Sequence, residues 1–254
     1  MIEARGISKR YGDLVAVHDV SFSVAQGEVV GFLGPNGAGK TTTMRILTGF
    51  LPPTDGTAVI AGHDMFDDPL AARRCVGYLP ESPPLYPEMD VAGFLAFVAR
   101  LKDVPRKRVR EAVERALERC GLTDVRRRVI GQLSKGYRQR VGIAQAIVHS
   151  PPVLILDEPT VGLDPTQIRE IRSLVADLVA PKAGEVQHAV ILSTHILPEV
   201  EAICPRVLLI HRGRKVLDAR LSDLTGGGRS LEQVFAQETS RDVSDDAPAA
   251  AAFA

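Results

Sequence analysis

Apolar side chains recur along this chain in two rhythms. Over residues 1–25 they alternate with polar ones in Ile2 to Ile7, Ala16 to Val20 and Ser21 to Val24, with a break at Tyr11-Gly12-Asp13. Alternation of that kind predicts short, half-buried strands joined by turns. Three further runs are apolar nearly throughout: Val29-Val30-Gly31-Phe32-Leu33, Val153-Leu154-Ile155-Leu156 and Val190-Ile191-Leu192-Ser193-Thr194. Runs of this length read as strands, and the last two as strands buried in a parallel sheet. Residues 90–149 change to a helical period. Asp90 is placed to cap a helix with Val91, Phe94, Leu95, Val98 and Leu101 on one face. A second helix turns Val109, Val113, Ala116, Leu117 and Cys120 inward and ends at Gly121. A third opens at Gln132-Leu133-Ser134-Lys135-Gly136-Tyr137, with Ser134 as N-cap, and stops before Pro151-Pro152.

Shorter elements fill the remainder. A helix is predicted from Thr43 to Thr48, ended by Gly49, followed by a turn cluster at Pro52-Pro53-Thr54-Asp55-Gly56. Ala58 to Ala61 and Val76 to Pro80 read as strands, with Gly62-His63-Asp64 as a turn. Thr166 to Val179 and Pro198 to Cys204 read as helices. Val207 to Ile210 and Val216-Leu217 form a hairpin about Arg212-Gly213-Arg214. From Thr239 the chain is polar and then alanine-rich, which predicts disorder.

Composition narrows the class. The 254 residues are 45% hydrophobic and 24% charged, ordinary for a globular protein with a sizeable core. The formal net charge is zero, so no general attraction to nucleic acid or anionic lipid is expected. Arg106, Lys107, Arg108, Arg110, Arg115 and Arg119 are interleaved with Glu111, Glu114 and Glu118, which predicts a paired, solvated helix face. Cys75, Cys120 and Cys204 stand singly, without a C-x-x-C pair, which suits a reducing compartment and argues against a zinc site. No stretch approaches the run of about 20 apolar residues needed to cross a bilayer.

The chemistry centres on Gly34-Pro35-Asn36-Gly37-Ala38-Gly39-Lys40-Thr41-Thr42, which fits G-x-x-x-x-G-K-[ST]. A strand precedes it and a helix follows. Glycines let the backbone turn N–H groups inward, and the new helix N-terminus adds a positive dipole end, making an anion nest. Lys40 then reaches β- and γ-phosphates, and the Thr41 hydroxyl is placed to ligate Mg²⁺. The strand Val153 to Leu156 ends in Asp157-Glu158, at the sheet end where open α/β folds place ligands. Another strand delivers His195, which by itself reads more readily as a satisfied core histidine than as a catalytic group. Tyr11 by itself reads as a turn tyrosine lying on its own strand.

In this order the motifs resemble the nucleotide-binding subunit of an ABC transporter, over roughly residues 1–222. Gly34–Thr42 is similar to the Walker A loop, and Leu133-Ser134-Lys135-Gly136-Tyr137 to the signature L-S-G-G-Q. Val153–Asp157 is similar to Walker B, followed by Glu158; Gly162-Leu163-Asp164-Pro165 resembles the D-loop and His195 the switch histidine. Tyr78-Leu79-Pro80-Glu81 and the stretch Leu133–Arg140 most resemble the gliding-motility type of ATP-binding subunit, which pairs with type 2 exporter permeases. The resemblance implies an α/β P-loop NTPase (RecA-like) core. It also implies an N-terminal antiparallel β subdomain, an inserted α-helical subdomain over about 83–150, and a short C-terminal segment over 223–254.

The same resemblance implies ATP and Mg²⁺ as cofactors and assigns roles. Tyr11 stacks on adenine; Lys40 and the loop bind phosphate; Thr41, Asp157 and Glu81 hold Mg²⁺; Glu158 is the general base; His195 contacts the γ-phosphate. Ser134, Lys135, Gly136 and Tyr137 act in trans on a partner's ATP, and Asp164 meets the facing Walker A loop. The implied partners are a second ATPase subunit, as homodimer or heterodimer, and an integral-membrane permease, with the protein on the cytoplasmic face of the cell membrane. No nucleic acid is expected. Two departures stand out: Glu81 where most relatives have Gln, and Lys135 and Tyr137 in place of Gly and Gln. The C-terminal segment is shorter than is common in the subgroup. A rival reading is a chromosome- or repair-type ATPase of the same superfamily, which would carry long coiled coils or tandem halves; neither occurs here.

Overall fold

The computed structural model describes residues 1–180, 187–226 and 228–241. Strands β1 (Ile2–Tyr11), β2 (Leu14–Val24), β4 (Asp55–Ile60) and β5 (His63–Asp64) form an antiparallel sheet in the order β2-β1-β4-β5. A second sheet contains β3 (Val29–Leu33), β6 (Val76–Leu79), β7 (Val153–Asp157), β8 (Ala189–Thr194), β9 (Arg206–His211) and β10 (Arg214–Arg220). Its order is β10-β9-β3-β8-β7-β6, parallel throughout except for β10 at the edge. Strands β3, β7 and β8 are buried along their whole length, as their continuous apolar sequences require.

The helices are α1 (Lys40–Leu47), α2 (Pro69–Arg74), α3 (Val91–Leu101), α4 (Val109–Arg119), α5 (Lys135–Ile147), α6 (Pro165–Val179), α7 (Leu197–Ile203), α8 (Leu221–Thr225) and α9 (Leu231–Arg241). One apolar cluster joins the antiparallel sheet and α1 to one face of the parallel sheet, with Phe22 and Phe32 ring centroids 5.7 Å apart. The other face packs against α3 to α7. Two caps named from the sequence are formed: Asp90 accepts from Gly93 N–H at 2.9 Å, and Ser134 from Tyr137 N–H at 3.3 Å. The charged face of α4 is partly paired, Glu114 with Arg126 and Glu111 with Arg115.

Several expectations are corrected. Helix α1 begins at Lys40 rather than Thr43, because Gly39 takes the N-cap position with φ of 102° and the polar first turn has no apolar period to reveal it. His63-Asp64 is a two-residue strand paired with Val59 and Ile60, not a free turn. Helix α2 has no counterpart in the sequence reading, although Asp68-Pro69 supplies the cap and first-turn proline. Leu101 is 65% exposed, and Ala99 takes the inward place on α3. Thr239 to Arg241 are helical, with Leu231 and Val234 of α9 buried against the main cluster. The rest of the stretch expected to be disordered lies outside the described residues.

The contrast between two leucines is testable. Leu117→Ala removes a fully buried side chain and is expected to cost about 2–5 kcal/mol in urea unfolding. Leu101→Ala is expected to change stability by no more than about 0.5 kcal/mol.

Candidate functional site

The phosphate-loop sequence runs from the carboxyl end of β3 into α1. Two glycines are dictated by geometry. At Gly39 a Cβ would stand 2.5 Å from the Ala16 carbonyl oxygen, and at Gly34 it would strike the carbonyl of Ile210. The loop is therefore pressed between β2 and the end of β9. Lys40 is 6% exposed, and its ammonium folds back to donate to the carbonyls of Gly34 at 2.8 Å and Pro35 at 3.2 Å. It also stands 3.5 Å from Glu158 Oε1. The same ammonium thus faces both the loop expected to bind phosphate and the carboxylate expected to act on water.

Strand β7 delivers Asp157 and Glu158 to this point. Glu158 has φ of 49°, a left-handed conformation that costs of order 1–3 kcal/mol in a non-glycine residue and persists where surroundings enforce it. Its N–H donates to Ser193 of β8 at 2.8 Å, extending the ladder one residue past the strand. Its carboxylate oxygens stand 3.0 and 2.9 Å from His195 Nδ1. Asp157 is fully buried, and neither carboxylate oxygen has a hydrogen-bond partner. Burial pushes its pKa up; the hydroxyls of Ser193 and Thr41 oppose this without closing hydrogen bonds, and Glu158 and Glu81 add to it.

Lys40, Glu158 and His195 line one cavity of about 510 Å³, and Asp157 is buried behind it without bordering it. Tyr11, Asn36, Gly37, Gly39, Lys40, Thr41, Thr42, Glu81, Glu158 and His195 border it, so segments from Tyr11 through to His195 converge there. Gly34, Pro35 and Ala38 complete the loop beneath. Tyr11 is 46% exposed, with Lys9 Nζ 5.5 Å from its ring centroid. Leu14, Ala16 and Val161 also border the cavity and were not singled out from the sequence.

Other named residues lie elsewhere. Ser134, Lys135, Gly136 and Tyr137 do not border the cavity. Ser134, Lys135 and Tyr137 are exposed at the start of α5, and Gly136 is buried, where a Cβ would stand 2.9 Å from the Gln167 side chain. Asp164 caps α6, accepting from the N–H groups of Thr166 and Gln167, both at 2.9 Å. Two contributors escaped the sequence reading. Buried Gln139 of α5 donates to the Pro159 carbonyl at 2.7 Å, next to Glu158. Buried Glu199 of α7 accepts from Thr194, which precedes His195.

Among the described residues no group of three or more His, Cys, Asp or Glu is arranged to hold a metal by itself. The donors at hand are Asp157, with two unsatisfied buried oxygens, Thr41 and Glu81. Such a set fits a hard ion that takes most of its ligands from phosphate oxygens and water, which is how Mg²⁺ is usually bound.

Comparison with known proteins gives a consistent picture. Residues 17–161 match the family model described as ABC transporter. The bacitracin transport ATP-binding protein BcrA of Bacillus licheniformis is 36% identical over 250 residues, covering 92% of this chain and 79% of that protein. Among solved structures, an ATP-binding subunit of an ABC transporter superposes with a TM-score of 0.83 at 30% identity, covering 94% of this chain and 99% of the other. The dimeric structure of a bacterial ABC transporter cassette gives 0.77 at 25% identity, covering 87% and 99%. The gliding-motility subtype is not supported by these relatives, whose descriptions name bacitracin transport and transporter cassettes.

Asp157 allows a direct test of the electrostatics. Its folded-state pKa is raised, so its favourable contribution is present below about pH 4 and is lost as pH rises through the folded value. The fold thus buries an acidic side chain whose oxygens have no hydrogen-bond partner. In buffer without nucleotide or Mg²⁺, Asp157→Asn is expected to raise stability by about 1–3 kcal/mol. Thermal unfolding measures the gain, and the same variant is expected to lose Mg²⁺-dependent stabilisation by ATP.

Proposed function

The chain belongs to the ABC transporter family, and on that premise we propose how its residues divide the work of binding ATP, hydrolysing it and driving a separate membrane permease. The observation that carries the reading is the shared cavity, where the loop lysine, the carboxylate at the end of β7 and the histidine at the end of β8 face one another.

Adenine stacks on the exposed face of Tyr11. The triphosphate enters the nest of loop N–H groups, and the Lys40 ammonium exchanges the carbonyls of Gly34 and Pro35 for β- and γ-phosphate oxygens. Thr41, Asp157 and Glu81 hold Mg²⁺, which when bound neutralises phosphate charge. Drawn to phosphate, Lys40 releases Glu158, whose carboxylate then accepts a proton from the attacking water. The water oxygen bonds to the γ-phosphorus as the bond to the ADP oxygen breaks. His195 orients Glu158 through its Nδ1–H and, as the imidazolium, donates from its other ring nitrogen toward the γ-phosphate. General-base assistance of this kind is worth about 10²–10⁴ in rate. Residues 1–222 make up the ATPase unit, and 83–150 its inserted helical part.

Two copies, or one copy and a related subunit, complete the reaction. The exposure of Ser134, Lys135 and Tyr137 outside the chain's own cavity supports their action on ATP bound by a partner, as does the dimeric assembly of a similar cassette. Asp164 then approaches the facing loop while still capping α6.

The permease is proposed to seat in a second cavity of about 430 Å³ bordered by Phe50, Tyr78, Pro80, Ser82 and Pro84. Phe50 is 77% exposed there, and Glu81, between Pro80 and Ser82, borders the nucleotide cavity. No helix among the described residues is long and apolar enough to cross a membrane, so attachment to the cytoplasmic face is assigned to the permease. The direction proposed is export.

Glu158→Gln is expected to retain ATP binding, lose turnover by at least about 100-fold and accumulate ATP-bound dimer on size exclusion. Unchanged steady-state hydrolysis would remove Glu158 from the base role. Phe50→Asp is expected to leave hydrolysis by the isolated subunit unchanged and to abolish co-purification of the permease from detergent-solubilised membranes.

A further inference from the structure

One buried carboxylate has no place in the chemistry described so far. Glu199 of α7 is 1% exposed. Burying an ionised carboxylate is costly unless hydrogen bonds and an opposite charge compensate, and here three partners surround it. Thr160 Oγ1 donates to its Oε1, and Thr194 Oγ1 donates to its Oε2 at 3.1 Å. Arg172 of α6 stands 3.9 Å from Oε1. Both threonines are themselves buried, at 2% and 0% exposure.

The positions of those threonines give the carboxylate its meaning. Thr160 lies two residues after Glu158, on the segment that leaves β7 in a left-handed turn. Thr194 immediately precedes His195, and its hydroxyl also accepts the Ile196 N–H at 3.1 Å, closing a tight loop around the histidine. Glu199 therefore ties together the two segments that present Glu158 and His195, whose side chains meet at 2.9 Å. From the other side, Gln139 holds the Pro159 carbonyl. Both holds act on the two residues that directly follow the strained Glu158 backbone.

We infer that Glu199 is a positioning residue for ATP hydrolysis, fixing Glu158 and His195 relative to each other through Thr160 and Thr194. This rests on the ATPase reading and adds to it a residue that touches neither nucleotide nor water. A small displacement of a reacting group costs up to about 100-fold in rate without weakening substrate binding. A purely architectural role for the same carboxylate would lower stability and the folded fraction, and would leave turnover per folded molecule alone.

The test compares Glu199→Ala and Glu199→Gln with the unaltered protein, alone and in a His195→Ala background. Steady-state hydrolysis is normalised to molecules that bind a fluorescent ATP analogue. Glu199→Ala is expected to lower kcat about 10- to 100-fold while KM and analogue affinity stay within about twofold. Glu199→Gln, which keeps one acceptor oxygen, is expected to recover part of the loss. With His195 already replaced, the further loss from Glu199→Ala is expected to shrink below about threefold, because residues acting as a unit are not additive. Should Glu199→Ala fail to fold, Thr160→Val and Thr194→Val remove one hydroxyl each at nearly constant volume and are read the same way. Unchanged kcat, a full loss repeated in the His195→Ala background, or unfolding of all these variants would overturn the inference. Absence of turnover in the unaltered protein would instead overturn the ATPase reading beneath it.

Discussion

A buried ammonium and a buried carboxylate, Lys40 and Glu158, stand 3.5 Å apart at the carboxyl end of the parallel sheet, each less than a tenth exposed. Neither charge is cheap to hide, and each is compensated in a way that a polyphosphate can take over. Lys40 is satisfied by carbonyls of its own loop, which are weaker partners than phosphate oxygens for a cation. Glu158 is satisfied by Lys40 and His195, and its backbone is strained. Beside them Asp157 has no hydrogen-bond partner at all. The stability surrendered at these three positions is recovered elsewhere, in two apolar clusters that occupy both faces of the sheet.

The topology explains why these charges meet. Strand β3 lies between β8 and β9, with β7 beyond β8, so the loop after β3 and the carboxyl ends of β7 and β8 open on one edge. The antiparallel sheet adds Tyr11 from the end of β1, and the segment after β6 adds Glu81. Parallel pairing aligns the ends in register, with Asp157 opposite Ser193 and Leu33 opposite Thr194. No local feature of sequence encodes that convergence; it follows from strand order.

Much of this was legible beforehand, for reasons that differ by element. The buried strands announce themselves through unbroken β-branched and leucine runs, and β3 falls at Val29–Leu33 as read. The caps at Asp90 and Ser134 are legible because one polar side chain precedes a helical period. Helix α2 was missed because six residues are too few to establish a period, and Leu101 was misplaced because apolar spacing does not reveal where a helix end leaves the core. The loop, Asp157, Glu158 and His195 are visible as motif residues. Gln139, Glu199 and the capping role of Asp164 are not, since each acts through a backbone group or hydroxyl distant in sequence or one turn away. Asp164 did carry a local signal, an aspartate followed by Pro165 at a helix start.

In the proposed mechanism, hydrolysis requires α5 of one chain against the loop of another. Engineered cysteines replacing Ser134 and Asn36, in a Glu158→Gln protein whose native Cys75, Cys120 and Cys204 are substituted, measure this directly. ATP with Mg²⁺ is predicted to permit a disulfide between residue 36 of one copy and residue 134 of another, seen as a covalent dimer on a non-reducing gel and absent without nucleotide. A monomer that binds ATP fully yet forms no such cross-link would rule out this shared site.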